Sequence, residues 1–247
     1  MYSKRIESRF NLMKIKTKRL ATALITGAIV LASAATFTGC MPMPAQWTRD
    51  PSEHAIPAER GLQYLKDGHE RYLAGTGGTH NFDADREILG EEQNPFAIVL
   101  GCSDSRVNPE LLFDMKRGDI FTTMNAGNFA DDTSVGSMQF AIEVLGARLI
   151  VVMGHTGCGA VISSMETADL SGLRDGFLEN GSNELQGILG QLAPIVAGTT
   201  DVMVATRANV EASVARLAEL EVVHYHDVMV VGAIYDVGSG EITWFEN

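Results

Sequence analysis

Cysteine is scarce in this chain, whose 247 residues include only three. Cys40, Cys102 and Cys158 are too few and too widely spaced for a disulfide-stabilised scaffold, so each needs an explanation of its own. Internal repeats and low-complexity tracts are absent from the sequence as well, which excludes solenoid and collagen-like architectures. The hydrophobic fraction of 45% and the charged fraction of 20% are those of an ordinary globular protein.

Basic residues are scarce beyond the amino terminus. The first 39 positions hold seven of the 19 lysines and arginines but only one of the 31 acidic residues. From Cys40 onward, acidic residues therefore outnumber basic ones by 30 to 12. A protein body of this charge repels a phosphate backbone, so no nucleic acid partner is expected.

Residues 1–39 have the three-part pattern of an export signal. A basic segment ends at Arg19, the next twenty residues carry no charge, and small residues precede Cys40. Pro42 and Pro44 follow and do not suit the continuation of a helix. We therefore predict a signal that is cleaved before Cys40. The tetrapeptide that ends at this cysteine resembles the end of a bacterial lipoprotein signal, in which the cysteine is lipidated.

The lipoprotein resemblance implies an exported protein that is anchored through Cys40 on the periplasmic side of an inner or outer membrane. Two alternatives remain open. Residues 20–39 are just long enough to cross a bilayer as an uncleaved helix, and plain secretion would need no anchor. Met13, which is followed by a lysine, is an alternative start of the chain.

The rest of the chain divides into a tether and one domain. Four prolines between positions 42 and 57 predict an extended tether over residues 40–57, which leaves a domain over residues 58–247. In that domain, apolar runs typical of buried strands alternate with segments of helical periodicity. The predicted strands are 96–100, 119–123, 149–153 and 228–235. The predicted helices are 57–74, 109–116, 134–145, 185–196 and 202–220. This alternation predicts an α/β domain with a mostly parallel central sheet flanked by helices.

Two predicted strands are followed by segments rich in metal-ligating side chains. Cys102 comes just after the strand 96–100, and His155 and Cys158 come just after the strand 149–153. Ligands gather at the carboxyl ends of parallel strands, and neighbouring strands lie about 5 Å apart. Two thiolates and one imidazole suit zinc, and three protein ligands leave a position for water, whose pKa then falls toward about 7. Taken singly, such a cysteine or histidine is usually a buried or loop residue, but the combined pattern favours a metal site.

A charged pair lies beside the first of these cysteines. Asp104 and Arg106 are two residues apart and can pair through two hydrogen bonds, which keeps the carboxylate ionised and oriented. Such a carboxylate can accept a hydrogen bond from a zinc-bound water. Two other interpretations stay open: Asp104 is a fourth zinc ligand that closes the site, or the pair is an ordinary surface salt bridge.

Together these residues resemble the zinc signature of β-class carbonic anhydrases, including the 53-position separation between Cys102 and His155. The resemblance extends from about Leu62 to Trp244. Its motifs are Cys102-Ser103-Asp104-Ser105-Arg106, Val107-Asn108-Pro109-Glu110, Asn125-Ala126-Gly127-Asn128, Val144-Leu145-Gly146 and His155-Thr156-Gly157-Cys158.

The resemblance implies a function and a role for each residue. Zinc is bound by Cys102, His155 and Cys158, the catalytic dyad is Asp104 and Arg106, and Gln93 and Gly127 contact the substrate. The implied reaction is the reversible hydration of CO2 to bicarbonate and a proton, with zinc hydroxide as the nucleophile.

The sequence departs from one subgroup of the family at two positions. Members regulated by bicarbonate have a tryptophan and an arginine where this chain has Val99 and Met124. We therefore expect no allosteric bicarbonate pocket and a site with bound water near neutral pH.

The family resemblance also implies a homodimer, in which the helix 57–74 contacts the partner, and the dimers pair into a tetramer in some members. Two other functions remain open at this stage. Relatives with the same fold hydrolyse carbon disulfide or carbonyl sulfide, and a lipoprotein that binds zinc without catalysis would use the same three ligands.

Overall fold

The computed structural model describes residues 56–78, 86–87, 89–168 and 183–245. The predicted signal over residues 1–39, the predicted lipidation site Cys40 and most of the predicted tether lie outside these ranges. Ile56, near the end of that tether, is buried in the core of the domain. The packed domain therefore includes residue 56, slightly before the boundary predicted at residue 58. Within the described ranges, no helix has both the length and the apolar character needed to cross a bilayer.

The described residues form a five-stranded sheet in the order β2-β1-β3-β4-β5. Its strands are β1 (Ala97–Cys102), β2 (Ile120–Asn125), β3 (Leu149–His155), β4 (Met229–Tyr235) and β5 (Ile242–Trp244). The first four strands pair in parallel, and β5 is antiparallel at the edge. The prediction of a mostly parallel central sheet is confirmed.

Helices connect the strands. They are α1 (Ala58–Leu73), α2 (Pro109–Leu112), α3 (Asp132–Glu143), α4 (Gly159–Ala168), α5 (Asn183–Val196), α6 (Val202–Ala218) and α7 (Glu221–Tyr225). Three of them begin at polar caps, which satisfy backbone N–H groups that have no partner within the helix. Asn108 caps α2, Asp131 forms a capping box with Ser134 at α3, and Asp201 caps α6.

The core lies on both faces of the sheet, because successive side chains of a strand point to opposite faces. Val99 of β1 packs in a cluster that includes Leu65 of α1. Leu100, the next residue, packs in the opposite cluster with Met138 of α3 and Val210 of α6. Burial on both faces explains why β1 and β3 are continuous apolar runs rather than alternating ones.

The strands that carry the predicted ligands are longer than their apolar runs indicate. The predictions end these strands at residues 100 and 153, but β1 pairs with β2 as far as Cys102 and β3 pairs with β4 as far as His155. Pairing continues because it depends on backbone hydrogen bonds and not on apolar side chains. Both residues are therefore held in the sheet and do not lie on loops.

The helix predictions differ most from the structure in three places. The predicted helix 109–116 ends at Leu112, before Asp114, whose φ of 46° is incompatible with a right-handed helix. The predicted helix 202–220 is two helices, because α6 ends at Ala218 and α7 begins at Glu221. Helix α4 and strand β5 are not predicted from the sequence at all.

Candidate metal centre

The sheet brings the three predicted zinc ligands together. Cys102 is the last residue of β1, His155 is the last residue of the neighbouring strand β3, and Cys158 directly precedes α4. Their ligating atoms all lie within 4.8 Å of one another, and the two Sγ atoms are 3.9 Å apart. All three side chains are buried, with at most 4% of their surface exposed.

The orientation of His155 fits a metal ion. Its Nδ1 lies 3.1 Å from the carbonyl oxygen of Thr156, which can only accept a hydrogen bond, so Nδ1 carries the proton. Nε2 then presents a lone pair, and this buried atom has no hydrogen-bond partner among the described residues. A buried nitrogen acceptor without a partner is costly unless a cation occupies its lone pair. Two sulfurs and this nitrogen are the donor set that zinc prefers.

The two cysteines are hydrogen-bonded to each other through their Sγ atoms. The hydrogen bond with Cys158 lowers the pKa of the Cys102 thiol, although burial acts against this. The same hydrogen bond, together with burial, raises the pKa of Cys158 far above its usual range. Metal binding requires thiolates, so both cysteines would be deprotonated when they hold a cation.

The predicted pair of Asp104 and Arg106 forms beside the ligands. Arg106 donates from Nε to Oδ1 at 2.8 Å and from Nη2 to Oδ2 at 2.7 Å, and its backbone N–H donates to Oδ1 at 3.0 Å. These bonds from Arg106 hold the pKa of the Asp104 carboxyl well below its usual range. Oδ2 lies 3.8 Å from Nε2 of His155, so the carboxylate adjoins the ligand cluster.

This arrangement bears on the two other interpretations of Asp104. Its carboxylate is engaged by Arg106, and the three-residue ligand cluster found among the described residues does not contain it. That position favours an open site over one closed by a fourth carboxylate ligand. A surface salt bridge also describes the pair poorly, since the Asp104 side chain is only 18% exposed and adjoins buried ligands.

Gly127 is part of the same centre. Its backbone N–H donates to Sγ of Cys102 at 3.3 Å. Its φ of 98° is rare for residues with a side chain, and a Cβ at this position would lie 2.7 Å from Cδ1 of Leu192. The structure thus gives Gly127 a contact with the sulfur of a ligand, and the substrate contact implied for it stays a prediction.

Replacing Gly127 by alanine is expected to destabilise the domain more than the same change at Gly146. Gly146 has a φ of 81° and open space around it, so Gly146→Ala adds only backbone strain of about 1–2 kcal/mol. Gly127→Ala adds overlap with Leu192, which costs about 1–3 kcal/mol more. Urea denaturation of both metal-free variants measures the difference. Equal destabilisation would show that the packing around Gly127 relaxes freely.

Gln93 is not brought to the metal centre of its own chain. It precedes the amino end of β1, whereas Cys102 is the last residue at the carboxyl end. It lines a surface cleft with Arg117, Gly118 and Val144. The substrate contact implied for Gln93 stays a prediction.

Sequence reasoning missed a row of polar side chains on α6. Asn209, Ser213 and Arg216 are hydrogen-bonded to the segment that contains Gly127 and Ala130. Their spacing of four and three residues puts them on one face of the helix, but Arg207 and Glu211 on the opposite face are polar as well, so the sequence carries no clear signal of this row.

Comparison with known proteins agrees with the geometry. The family model described as carbonic anhydrase matches residues 97–242. Carbonic anhydrase 2 of Mycobacterium tuberculosis is 34% identical over 169 residues, which are 68% of this chain and 73% of that protein. The carbonic anhydrase of Pseudomonas aeruginosa is 32% identical over 169 residues, covering 62% and 74% of the two chains. The solved β-carbonic anhydrase CafA of Aspergillus fumigatus is 25% identical with a TM-score of 0.55, covering 76% of this chain and 90% of that one. The chain belongs to the β-class carbonic anhydrase family.

Proposed function

We propose that this protein catalyses the zinc-dependent, reversible hydration of CO2 to bicarbonate and a proton. One observation carries the proposal: buried Cys102, His155 and Cys158 converge within 4.8 Å beside an oriented carboxylate, in a chain of the carbonic anhydrase family. Zinc at these ligands would lower the pKa of a bound water, so that hydroxide is present near neutral pH.

The residues of the chain hold and orient the reacting groups. The Asp104 carboxylate stays ionised because Arg106 binds both of its oxygens, so it acts as a hydrogen-bond acceptor for the reacting water. Accepting that hydrogen bond turns an oxygen lone pair toward the carbon of CO2. Thr156 fixes the tautomer of His155, and Gly127 directs a backbone N–H at Cys102.

The oriented pair also distinguishes catalysis from zinc storage. A storage site needs only ligands, whereas Arg106 places three hydrogen bonds on Asp104 at the edge of the ligand cluster. A carboxylate constrained in this way is typical of a catalytic site, in which a reacting group that donates a hydrogen bond must be oriented toward the substrate.

A stopped-flow CO2 hydration assay on the zinc-loaded protein tests the function. We expect hydration to be accelerated by the loaded protein and not by the same protein after chelation. Carbonyl sulfide and carbon disulfide serve as comparison substrates, since they would use the same ligands. Faster turnover of either sulfur compound than of CO2 would replace the proposed substrate, and zinc binding without any turnover would leave only the storage function.

For assembly, we propose a homodimer or a tetramer of this chain. Tyr72 and Leu73 at the end of α1 and Phe140 and Val144 near the end of α3 are exposed apolar side chains that a second copy would cover. The solved tetrameric β-carbonic anhydrases of Sordaria macrospora share the fold, with a TM-score of 0.56 at 23% identity. Light scattering coupled to size exclusion gives the mass, and a monomer at micromolar concentration would contradict the proposal.

For location, we propose anchoring on the periplasmic side of a membrane through lipidated Cys40. Support comes from the sequence, in which a basic segment, twenty uncharged residues and small residues precede this cysteine. Labelled palmitate should be incorporated by the protein in bacterial cells and not by its Cys40→Ala variant. Equal labelling of both, or release of the parent in soluble form, would overturn the anchor.

A further inference from the structure

One face of α6 holds the segment that follows β2. Asn209 donates from Nδ2 to the carbonyl oxygen of Gly127 at 2.7 Å. Four residues on, Ser213 accepts from the backbone N–H of Ala130 at 3.2 Å, and three further on Arg216 donates from Nη1 to the carbonyl oxygen of Ala130 at 2.6 Å. A single helix thus sets the position of this segment relative to the sheet.

Asn209 differs from Ser213 and Arg216 in the residue that it contacts. Gly127, whose carbonyl it holds, donates its own N–H to Sγ of Cys102 at 3.3 Å. The glycine is therefore fixed on one side by Asn209 and on the other by a metal ligand. Ser213 and Arg216 bind instead at Ala130, for which no contact with a ligand is found among the described residues.

The burial of Asn209 indicates that this one contact matters. The side chain is fully buried, and its Oδ1 has no hydrogen-bond partner among the described residues. Burying an amide with an unpartnered oxygen costs free energy. The folded protein would therefore be more stable with an apolar residue at position 209, unless the hydrogen bond to Gly127 offsets that cost.

Gly127 needs such a restraint. Glycine has the widest conformational freedom of any residue. Gly127 has a φ of 98°, and it has no side chain whose packing could hold the backbone in this conformation. If its carbonyl were released, the N–H would no longer be directed at the sulfur. A directed N–H donor stabilises negative charge on a thiolate and fixes the direction of its lone pairs.

We infer that Asn209 is a positioning residue of the metal centre, which through Gly127 orients Cys102 as a zinc ligand. The inference rests on the proposed zinc function. Removing an outer partner of a metal ligand typically weakens metal affinity about 10–100-fold, and we expect about 10-fold here because Asn209 acts through a second group.

The test compares Asn209→Leu with Ser213→Ala in the full chain. Leucine has the branching and the heavy-atom number of asparagine but donates no hydrogen bond. Ser213→Ala removes a hydrogen bond from the same helix face without touching Gly127. Zinc affinity is measured by competition with a chromophoric chelator, the sulfur-to-metal charge-transfer band is recorded with cobalt in place of zinc, and the Tm of each metal-free variant is measured.

We expect Asn209→Leu to weaken zinc affinity about 10-fold and to shift the cobalt band, whereas Ser213→Ala lowers only the Tm. Asn209→Ala, which adds no volume, replaces the leucine variant if that one does not fold. Parent-like zinc affinity and an unchanged cobalt band in the Asn209 variant would overturn the inference, as would equal losses of affinity in both variants. Failure of the parent itself to bind zinc would instead refute the proposed function.

Discussion

Asp104→Asn is expected to lower kcat for CO2 hydration by about 100-fold or more while zinc remains bound. Asparagine keeps the shape of the side chain but removes the charge that Arg106 holds in place with three hydrogen bonds. The amide also replaces one acceptor oxygen with an NH2 donor, so it can no longer accept from Arg106 at both positions and from the reacting water as well as the carboxylate does. Stopped-flow hydration assays, with zinc content measured on the same samples, give the turnover per bound metal.

A second aspartate–arginine pair offers a matched control. Asp114 accepts from Nε of Arg71 at 2.6 Å and from the backbone N–H of Gly78 at 2.8 Å, and none of the three residues belongs to the ligand cluster. Asp114→Asn should lower the stability of the domain by about 1–3 kcal/mol and leave turnover per bound zinc unchanged. If the two variants lose turnover equally, Asp104 has no special role. If Asp104→Asn loses its zinc, the carboxylate is a ligand and not an acceptor.

Replacing His155 by alanine is expected to weaken zinc binding by about 100-fold or more. The free energy of zinc binding to a site of four ligands is about 10–16 kcal/mol. The loss of one ligand should therefore weaken binding by at least about 3 kcal/mol. His155 is fully buried with its Nε2 directed at the cluster, and no other described histidine belongs to that cluster. Competition with a chelator measures the affinity, and hydration of CO2 should be lost at limiting zinc.

His224→Ala is the matched control for this change, because His224 is an exposed histidine on α7. It should bind zinc like the parent. An unchanged affinity in His155→Ala would show that the metal is bound elsewhere, and the assignment of all three ligands would then be wrong. Cys158→Ala is expected to lose zinc in the same way as His155→Ala, since it removes one of two sulfur ligands.

The three ligands could be predicted because their geometry follows from a general property of parallel sheets. Apolar runs located β1 and β3, and the carboxyl ends of parallel strands meet at one edge, so Cys102 and His155 had to lie near each other once these strands were neighbours. The pair of Asp104 and Arg106 is more local still, because two residues of separation already bring the side chains together.

Other parts of the centre could not be read from patterns. The contact between Gly127 and Cys102 joins positions 25 apart, and that between Asn209 and Gly127 joins positions 82 apart. Neither leaves a periodic trace, since each depends on how one backbone segment packs against a distant element. Gln93 is different, because it precedes the predicted strand 96–100 and the sequence therefore already places it at the opposite end of β1 from Cys102.

The amino-acid sequence alone thus specified the α/β architecture, the metal-ligating residue types and the charged pair. Strand burial, helix periodicity and short-range pairing are local properties of the polypeptide. Folding alone determined how far the strands continue, which glycine donates to the sulfur and which helix restrains that glycine. Those features arise from backbone hydrogen bonds and close packing between segments far apart in the chain, and the free energy of such contacts depends on three-dimensional distance rather than on separation along the chain.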